Sequence, residues 1–210
     1  MNLIDHEVIF FDFDGVIIDS LPIREKGFRS ILKEYPKDKV DQLVAYHNFN
    51  GGLSRFVKIT YFFEHILQEE VDPQRVQVLA DEFSVIMRRE LANKKYFIQE
   101  TVDFIDQYAS KILYIVSGSE QNELRYLCKE LGIAHYFKAI YGSPTPKIEL
   151  VKRVLLGGDY DMARCALVGD SINDYDAAVN NHIMFYGYNN SALKDVVAAE
   201  YINTFATFVS

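Results

Sequence analysis

Short, unbroken apolar runs alternate with helical periodicity over much of this chain. Val8–Phe11 ends at Asp12, Ile112–Val116 at Ser117-Gly118-Ser119, Cys165–Val168 at Gly169-Asp170-Ser171, and Ile183–Tyr186 at Gly187. Lys138–Tyr141 is a weaker fifth run. Runs of this length, rich in strand formers and bounded by polar residues, predict strands buried on both faces, as in a parallel sheet. Helical patterns cover Gln99–Tyr108, Glu120–Leu131, Ile148–Leu156 and Asp174–Asn181. Ser119 is the expected N-cap of the second, Gly132 its stop, and the pair Gly157-Gly158 the end of the third. Strands alternating with such helices imply βαβ units and a sheet covered on both sides.

From about Ser20 to Lys95 the pattern changes to helical periodicity with no strand. Pro22 fits a first helical turn, Asp72-Pro73 another helix start, and Asn50-Gly51-Gly52 a loop. The expected architecture is α/β, a doubly wound, Rossmann-like parallel sheet carrying an inserted all-helical cap domain. The expected catalytic core is 1–18 and 97–210, with the cap at 19–96.

Composition narrows the function classes. The 210 residues are 49% hydrophobic and 25% charged, the balance of an ordinary globular protein. Net charge is −8 and basic residues are not clustered, which argues against nucleic acid and against an anionic membrane surface. It does not forbid an anionic substrate, because a local metal ion and one or two placed cations outweigh a distant surface field. Cys128 and Cys165 have no partner spacing, so neither a disulfide framework nor a zinc site is expected. The five histidines do not cluster at ligand spacing. The opening stretch MNLIDHEVIFFDFDG lacks the positive charge of a secretion signal, and Asn189-Asn190-Ser191 reads as a turn and helix cap although it fits a glycosylation sequon. A cytoplasmic protein, monomer or homodimer, is the expectation.

In open parallel sheets ligands bind beyond the carboxyl ends of the strands. Here three strands end in reactive residue types: Asp12 and Asp14, Ser117, and Asp170. Two carboxylates so close repel, which suits a split between an ionised nucleophile and a proton carrier. Gly15 lets the backbone turn away sharply.

The run Asp12-Phe13-Asp14-Gly15-Val16 resembles the first signature of the haloacid dehalogenase superfamily. Ser117 after its apolar strand resembles the second, Lys147 before a helix the third, and Gly169-Asp170-Ser171-Ile172-Asn173-Asp174 with Ala177-Ala178 the fourth. The order matches, over positions 12–178. The third signature departs in detail: Ser143-Pro144-Thr145-Pro146-Lys147 carries its prolines before the lysine, where many relatives carry them after it. The layout is similar to the phosphatase branch with a small helical cap, the phosphoglycolate phosphatases and β-phosphoglucomutases.

The resemblance implies roles. Asp12 would attack phosphorus to form an aspartyl-phosphate; Asp14 would protonate the leaving oxygen and then deprotonate water, its carbonyl also reaching the metal. Ser117, with backbone N–H groups around Gly15, Gly118 and Ser119, would hold the phosphate, and Lys147 would neutralise charge. Asp170 would bind Mg²⁺ with Asp12, and Asp174 would be a ligand or a hydrogen-bond acceptor behind one. Family members that cleave carbon–halogen bonds lack the acid at Asp14, so phosphate chemistry is implied: a Mg-dependent phosphatase acting on a small phosphorylated metabolite, a phosphosugar or a phosphoglycolate-like ester. A phosphosugar mutase is the alternative enzyme, and a phospho-accepting signalling domain the alternative of another class. In the insert, Arg55 is either a surface residue or the contact for the substrate's anionic far end. The aromatic stretch Phe56–Phe63 reads as helix core before substrate platform.

Overall fold

The computed structural model describes residues 2–196 and 200–209. Strands β1 (Val8–Phe11), β2 (Ile112–Glu120), β3 (Ala139–Ser143), β4 (Cys165–Gly169), β5 (Met184–Tyr188) and β6 (Glu200–Ile202) form one sheet in the order β3-β2-β1-β4-β5-β6. Every neighbouring pair is parallel. The chain therefore winds outward from β1 first to one side and then to the other, the doubly wound arrangement expected from the alternation of runs and helices.

The two faces are covered by different layers. Along β1, Ile9 and Phe11 point to a core shared with α5 (Gln99–Gln107) and α6 (Gln121–Glu130), while Val8 and Phe10 point to a core shared with α7 (Lys147–Gly158) and α8 (Ile172–Asn180). A period of two with apolar residues at every position fills both layers, so β1 has no solvent face. Each apolar side chain so buried contributes about 1.5–3 kcal/mol.

Between β1 and α5 the described elements are helical: α1 (Leu21–Ile31), α2 (Lys37–Phe49), α3 (Arg55–Tyr61), a π-helical stretch (Phe62–Leu67), α4 (Pro73–Leu91) and a 3₁₀ turn (Lys94–Tyr96). Pro22 lies in the first turn of α1, and Asp72 caps α4, its side chain accepting from the Gln74 N–H at 2.9 Å. The outgoing and returning segments run side by side. The Asp19 N–H donates to the Tyr96 carbonyl at 2.8 Å, and the Ile98 N–H to the Ile17 carbonyl at 3.0 Å. A last short helix, α9 (Leu193–Val196), follows β5.

Some local expectations are corrected. The N-cap of α6 is Glu120, not Ser119: its carboxylate accepts from the Asn122 and Glu123 N–H groups at 2.9 and 2.8 Å, because β2 runs on through Ser119. Gly157 and Gly158 lie inside α7, which ends at Asp159 in the left-handed conformation. β6 has no counterpart among the predicted strands; three edge residues are too few to show a period.

Candidate active site

β1 delivers Asp12 to the carboxyl edge of the sheet. Its N–H is still tied to the Val168 carbonyl of β4 at 2.9 Å, and its side chain is buried. The chain then turns at Gly15, which has φ +77° and lies so close to Asp170 that a Cβ there would stand 1.9 Å from its Oδ2. A side chain at position 15 would push Asp170 away from Asp12. From the other side of β1, β2 brings Ser117 and Ser119, both buried, along a stretch where its pairing with β3 slips register.

Lys147 is the first residue of α7, directly after Pro146 at the N-cap, and its side chain is buried. Nζ lies 3.0 Å from Asp12 Oδ1 and also donates to Asp174 Oδ1. The second oxygen of Asp174 accepts from the Ser171 hydroxyl at 2.5 Å and its N–H at 3.1 Å, a capping box at the start of α8. Asp174 is thus fully buried with both oxygens engaged by the protein. It reads as the acceptor that fixes Lys147 and opens α8.

Asp12, Asp170 and Asp174 each offer an oxygen within 4.8 Å of the others. Burial, opposed by Lys147 and reinforced by Asp174 and Asp14, raises Asp12 to about 7. Burial, then Asp12 and Asp174, lifts Asp170 well above the usual carboxylate range. Crowded carboxylates with raised pKa values are short of positive charge, and a hard, all-oxygen donor set fits Mg²⁺. Burial works against the charge on Lys147, but Asp12 and Asp174 outweigh it and raise its pKa.

Asp14 belongs to a second network. Burial would raise it, but the Arg24 guanidinium, with hydrogen bonds from Ser119 and Ser20, lowers it overall. Arg24 Nε donates to Oδ1 at 2.7 Å, the Ser20 hydroxyl to Oδ1 at 2.5 Å, and the Ser119 hydroxyl to Oδ2 at 2.6 Å. A second arginine closes this network against α6. Arg55, buried and hence no surface residue, donates to both oxygens of Glu123, with the Glu123 Oε1 contact at 2.8 Å, and to the Ser84 hydroxyl at 2.7 Å. Arg24 reaches the same carboxylate at 3.4 Å. Arg24, Ser20 and Glu123 are site residues that sequence reading did not single out. Nothing in a lone arginine or glutamate on an amphipathic helix, or in a serine just before one, marks it.

Both networks open into one cavity of about 690 Å³, lined from below by Asp12, Asp14, Gly15, Ser117, Gly118, Ser119 and Asp170 and from the helical side by Arg24, Arg55 and others. The Asn50-Gly51-Gly52 loop seals one wall. A Cβ on Gly118 would meet the Gly52 carbonyl oxygen at 2.1 Å, and the Asn173 side chain donates to the Gly51 carbonyl at 2.6 Å. Asn189 and Asn190, read as a turn, also hold the site, donating to the Gly15 and Asp170 carbonyls at 3.0 and 2.8 Å. In the stretch Phe56–Phe63, Ile59, Phe62 and Phe63 are core, the last two packed with Tyr35, while Val57 is exposed.

Residues 9–188 match the family model for haloacid dehalogenase-like hydrolases. The chain belongs to this family. Among curated relatives, the phosphoglycolate phosphatase of Colwellia psychrerythraea is 23% identical over 204 residues, covering 90% of this chain and 88% of that one. The phosphoglycolate phosphatase of Vibrio cholerae is 26% identical over 209 residues, covering 88% and 86%. The fold is shared with a haloacid dehalogenase-like family hydrolase of Streptococcus pneumoniae, at TM-score 0.72 and 17% identity, covering 98% and 97%. In this haloacid dehalogenase-like chain Asp12, Asp14, Ser117 and Asp170 line one cavity, and Lys147 of the third signature lies behind it, 3.0 Å from Asp12. No helix among the described residues is long and apolar enough to cross a membrane.

Proposed function

We propose that this chain is a Mg²⁺-dependent phosphatase that hydrolyses a small phosphorylated metabolite through an aspartyl-phosphate on Asp12. The observation that carries the reading is the grouping at the cavity floor: Asp12 lies 3.0 Å from Lys147 and shares a 4.8 Å cluster with Asp170 and Asp174. Asp12 and Asp170 would hold Mg²⁺, aided by the Asp14 carbonyl, with Asp174 engaged behind them. The ion would supply charge neutralisation for an anion attacking an anion. Lys147 adds a fixed cation, so nucleophile and phosphate are brought together without the full cost of their repulsion.

In the first step an Asp12 oxygen bonds to phosphorus, the ester P–O bond breaks, and the leaving oxygen takes a proton from Asp14. In the second, water bonds to phosphorus, its proton goes to Asp14, and the Asp12 carboxylate is released. Asp14 is held in the ionised form that the second step uses. The first step uses the protonated form, so Arg24 must slacken its hold when substrate is bound. Ser117 and the N–H groups about Gly15, Gly118 and Ser119 bind the phosphoryl oxygens.

The reading divides the chain into a catalytic core, 1–18 and 97–210, and a helical cap, 19–96. The boundary falls where residues 17–19 and 96–98 pair. The cap shields the reacting centre from bulk water. Arg55 contributes by fastening α3 to Glu123 of α6 at the cavity wall. The protein acts in the cytoplasm on this view, as a monomer or homodimer. The test is a panel of phosphate monoesters assayed for free phosphate with and without Mg²⁺. Release of phosphate to water from at least one small ester, only with the metal, is the expected result; return of the phosphoryl group to a second sugar hydroxyl would make the protein a mutase instead.

A further inference from the structure

Three cations from the helical insert line the cavity: Arg24, Arg55 and Lys58. The two arginines are committed, Arg24 to Asp14 and Glu123, Arg55 to Glu123. Lys58 is different. It is buried, has no carboxylate partner among the described residues, and its Nζ contacts His47 Nδ1 at 2.8 Å. An ammonium only donates, so His47 accepts through Nδ1 and carries its own proton on Nε2. That Nε2 is buried and unpartnered among the described residues. Apolar groups pack beside the pair: the Phe28 ring lies 5.0 Å from the His47 ring, and Phe28, Phe83, Phe49 and Leu21 share the cavity wall, while Arg24, Arg55, Asp14 and Asp170 act on Lys58 through their charges alone.

A buried ammonium facing apolar walls is costly unless it finds an anion or gives up its proton. Burial, and next the Arg24 guanidinium, already pull Lys58 down to about 7. His47 cannot share the charge, since burial and then Lys58 pull it down to about 2. The transferred phosphate does not answer this need, because Lys147, Ser117 and the metal-binding carboxylates gather it at the sheet edge. What remains is the other end of the substrate.

Resting on the phosphatase reading, we propose that Lys58, backed by His47, binds a second anionic group of the substrate, a carboxylate or a second phosphate, on the helical side of the cavity. The far-end contact then falls to Lys58, since the charge of Arg55 is already met by Glu123. An anion there would pair with the buried ammonium in a water-poor pocket, where a charge-assisted hydrogen bond is stronger than at a surface.

The experiment compares matched esters in the Mg²⁺-loaded enzyme: 2-phosphoglycolate against its primary amide, and 1,3-propanediol bisphosphate against propyl phosphate. The wild-type kcat/KM should favour the charged member of at least one pair by about 10- to 100-fold. Preference within the first pair identifies a carboxylate and within the second a phosphate. Lys58→Met and Lys58→Gln should collapse that ratio to about unity, mainly through KM, and Lys58→Arg should retain most of it. Absence of any charge preference in the wild type, which needs no variant to fold, overturns the proposal. So does a preference that survives in Lys58→Met or Lys58→Gln. Hydrolysis of other esters of the panel but of none of these four overturns this inference alone; hydrolysis of no ester of the panel overturns the phosphatase reading, and this inference with it.

Discussion

The floor and the ceiling of the cavity are electrostatic opposites. The floor, built from strand ends, gathers Asp12, Asp170 and Asp174 around a single lysine, and burial and crowding push Asp12 and Asp170 up. The ceiling, built from helices of the insert, presents Arg24, Arg55 and Lys58. Where the two meet, charge is matched: Arg24 on Asp14, Arg55 on Glu123. Away from that seam each side keeps an excess of its own sign. The floor's excess calls for a cation and the ceiling's for an anion, which is what a metal-assisted attack on a phosphate ester requires of two sides of one pocket.

The comparison breaks most completely at the nucleophile. Asp12→Asn keeps the shape at the end of β1 and removes the attacking charge. Activity should fall by about four orders of magnitude or more, with circular dichroism and melting unchanged in form. A loss of only about tenfold on a good substrate would exclude a covalent Asp12 intermediate.

Chelation should be nearly as damaging, since the floor then has only Lys147 against three carboxylates. Magnesium should restore activity and calcium should do so poorly, its longer, looser coordination misplacing the phosphate. Metal affinity should also depend on pH. With Asp12 raised to about 7 and Asp170 also raised, protons compete with the metal below neutrality, so the Mg²⁺ Kd should tighten as pH rises through 7. Titration calorimetry at several pH values would show a flat Kd if the cluster were not the metal site.

The floor was far more legible in the sequence than the ceiling, and the reason is geometric. Asp12, Ser117 and Asp170 stand at the ends of continuous apolar runs, and a parallel sheet brings strand ends together whatever the loops do. Lys147 and Asp174 open helices beside those ends. Arg24, Lys58 and His47 lie on amphipathic helices whose mutual packing no period reveals. Arg55 could be read as surface or site, and only the Glu123 partner, 68 positions away, decides where it goes. β2 running on through Ser119 was hidden for a related reason: a slipped register leaves no alternation to read.

The seam offers a gentler break. Arg24→Met removes the guanidinium that lowers Asp14, leaving only the Ser20 and Ser119 hydroxyls. The Asp14 pKa should rise. With the second step, which uses the basic form, limiting the rate, activity should then need a higher pH, moving the acidic limb of the kcat profile upward. A loss of about tenfold at neutral pH, partly recovered in more alkaline buffer, is the expected outcome. A uniform loss with an unmoved profile would make Arg24 a packing residue only.

The smallest effect concerns stability, and its sign is opposite to that of most substitutions. Asp170 has its folded-state pKa raised, by burial and then by Asp12 and Asp174. The folded protein therefore holds this proton more tightly than the unfolded chain does. The associated stability is fully present below the unfolded value and is lost as pH rises through the folded one. In metal-free protein at pH 8, the buried and carboxylate-crowded Asp170 is thus a liability, and Asp170→Asn should relieve it. The metal-free variant should melt about 2–4 °C above the metal-free wild type at pH 8, the size of about 1 kcal/mol in a chain this long. The gap should close as pH falls below the unfolded value, where the wild-type group carries its proton in both states. Saturating Mg²⁺ should reverse the order, because the wild type gains binding energy that the variant has lost. An Asp170→Asn protein less stable than wild type without metal at pH 8 would mean that the floor is not strained by its own charge, and the contrast between the two sides of the cavity would lose one of its halves.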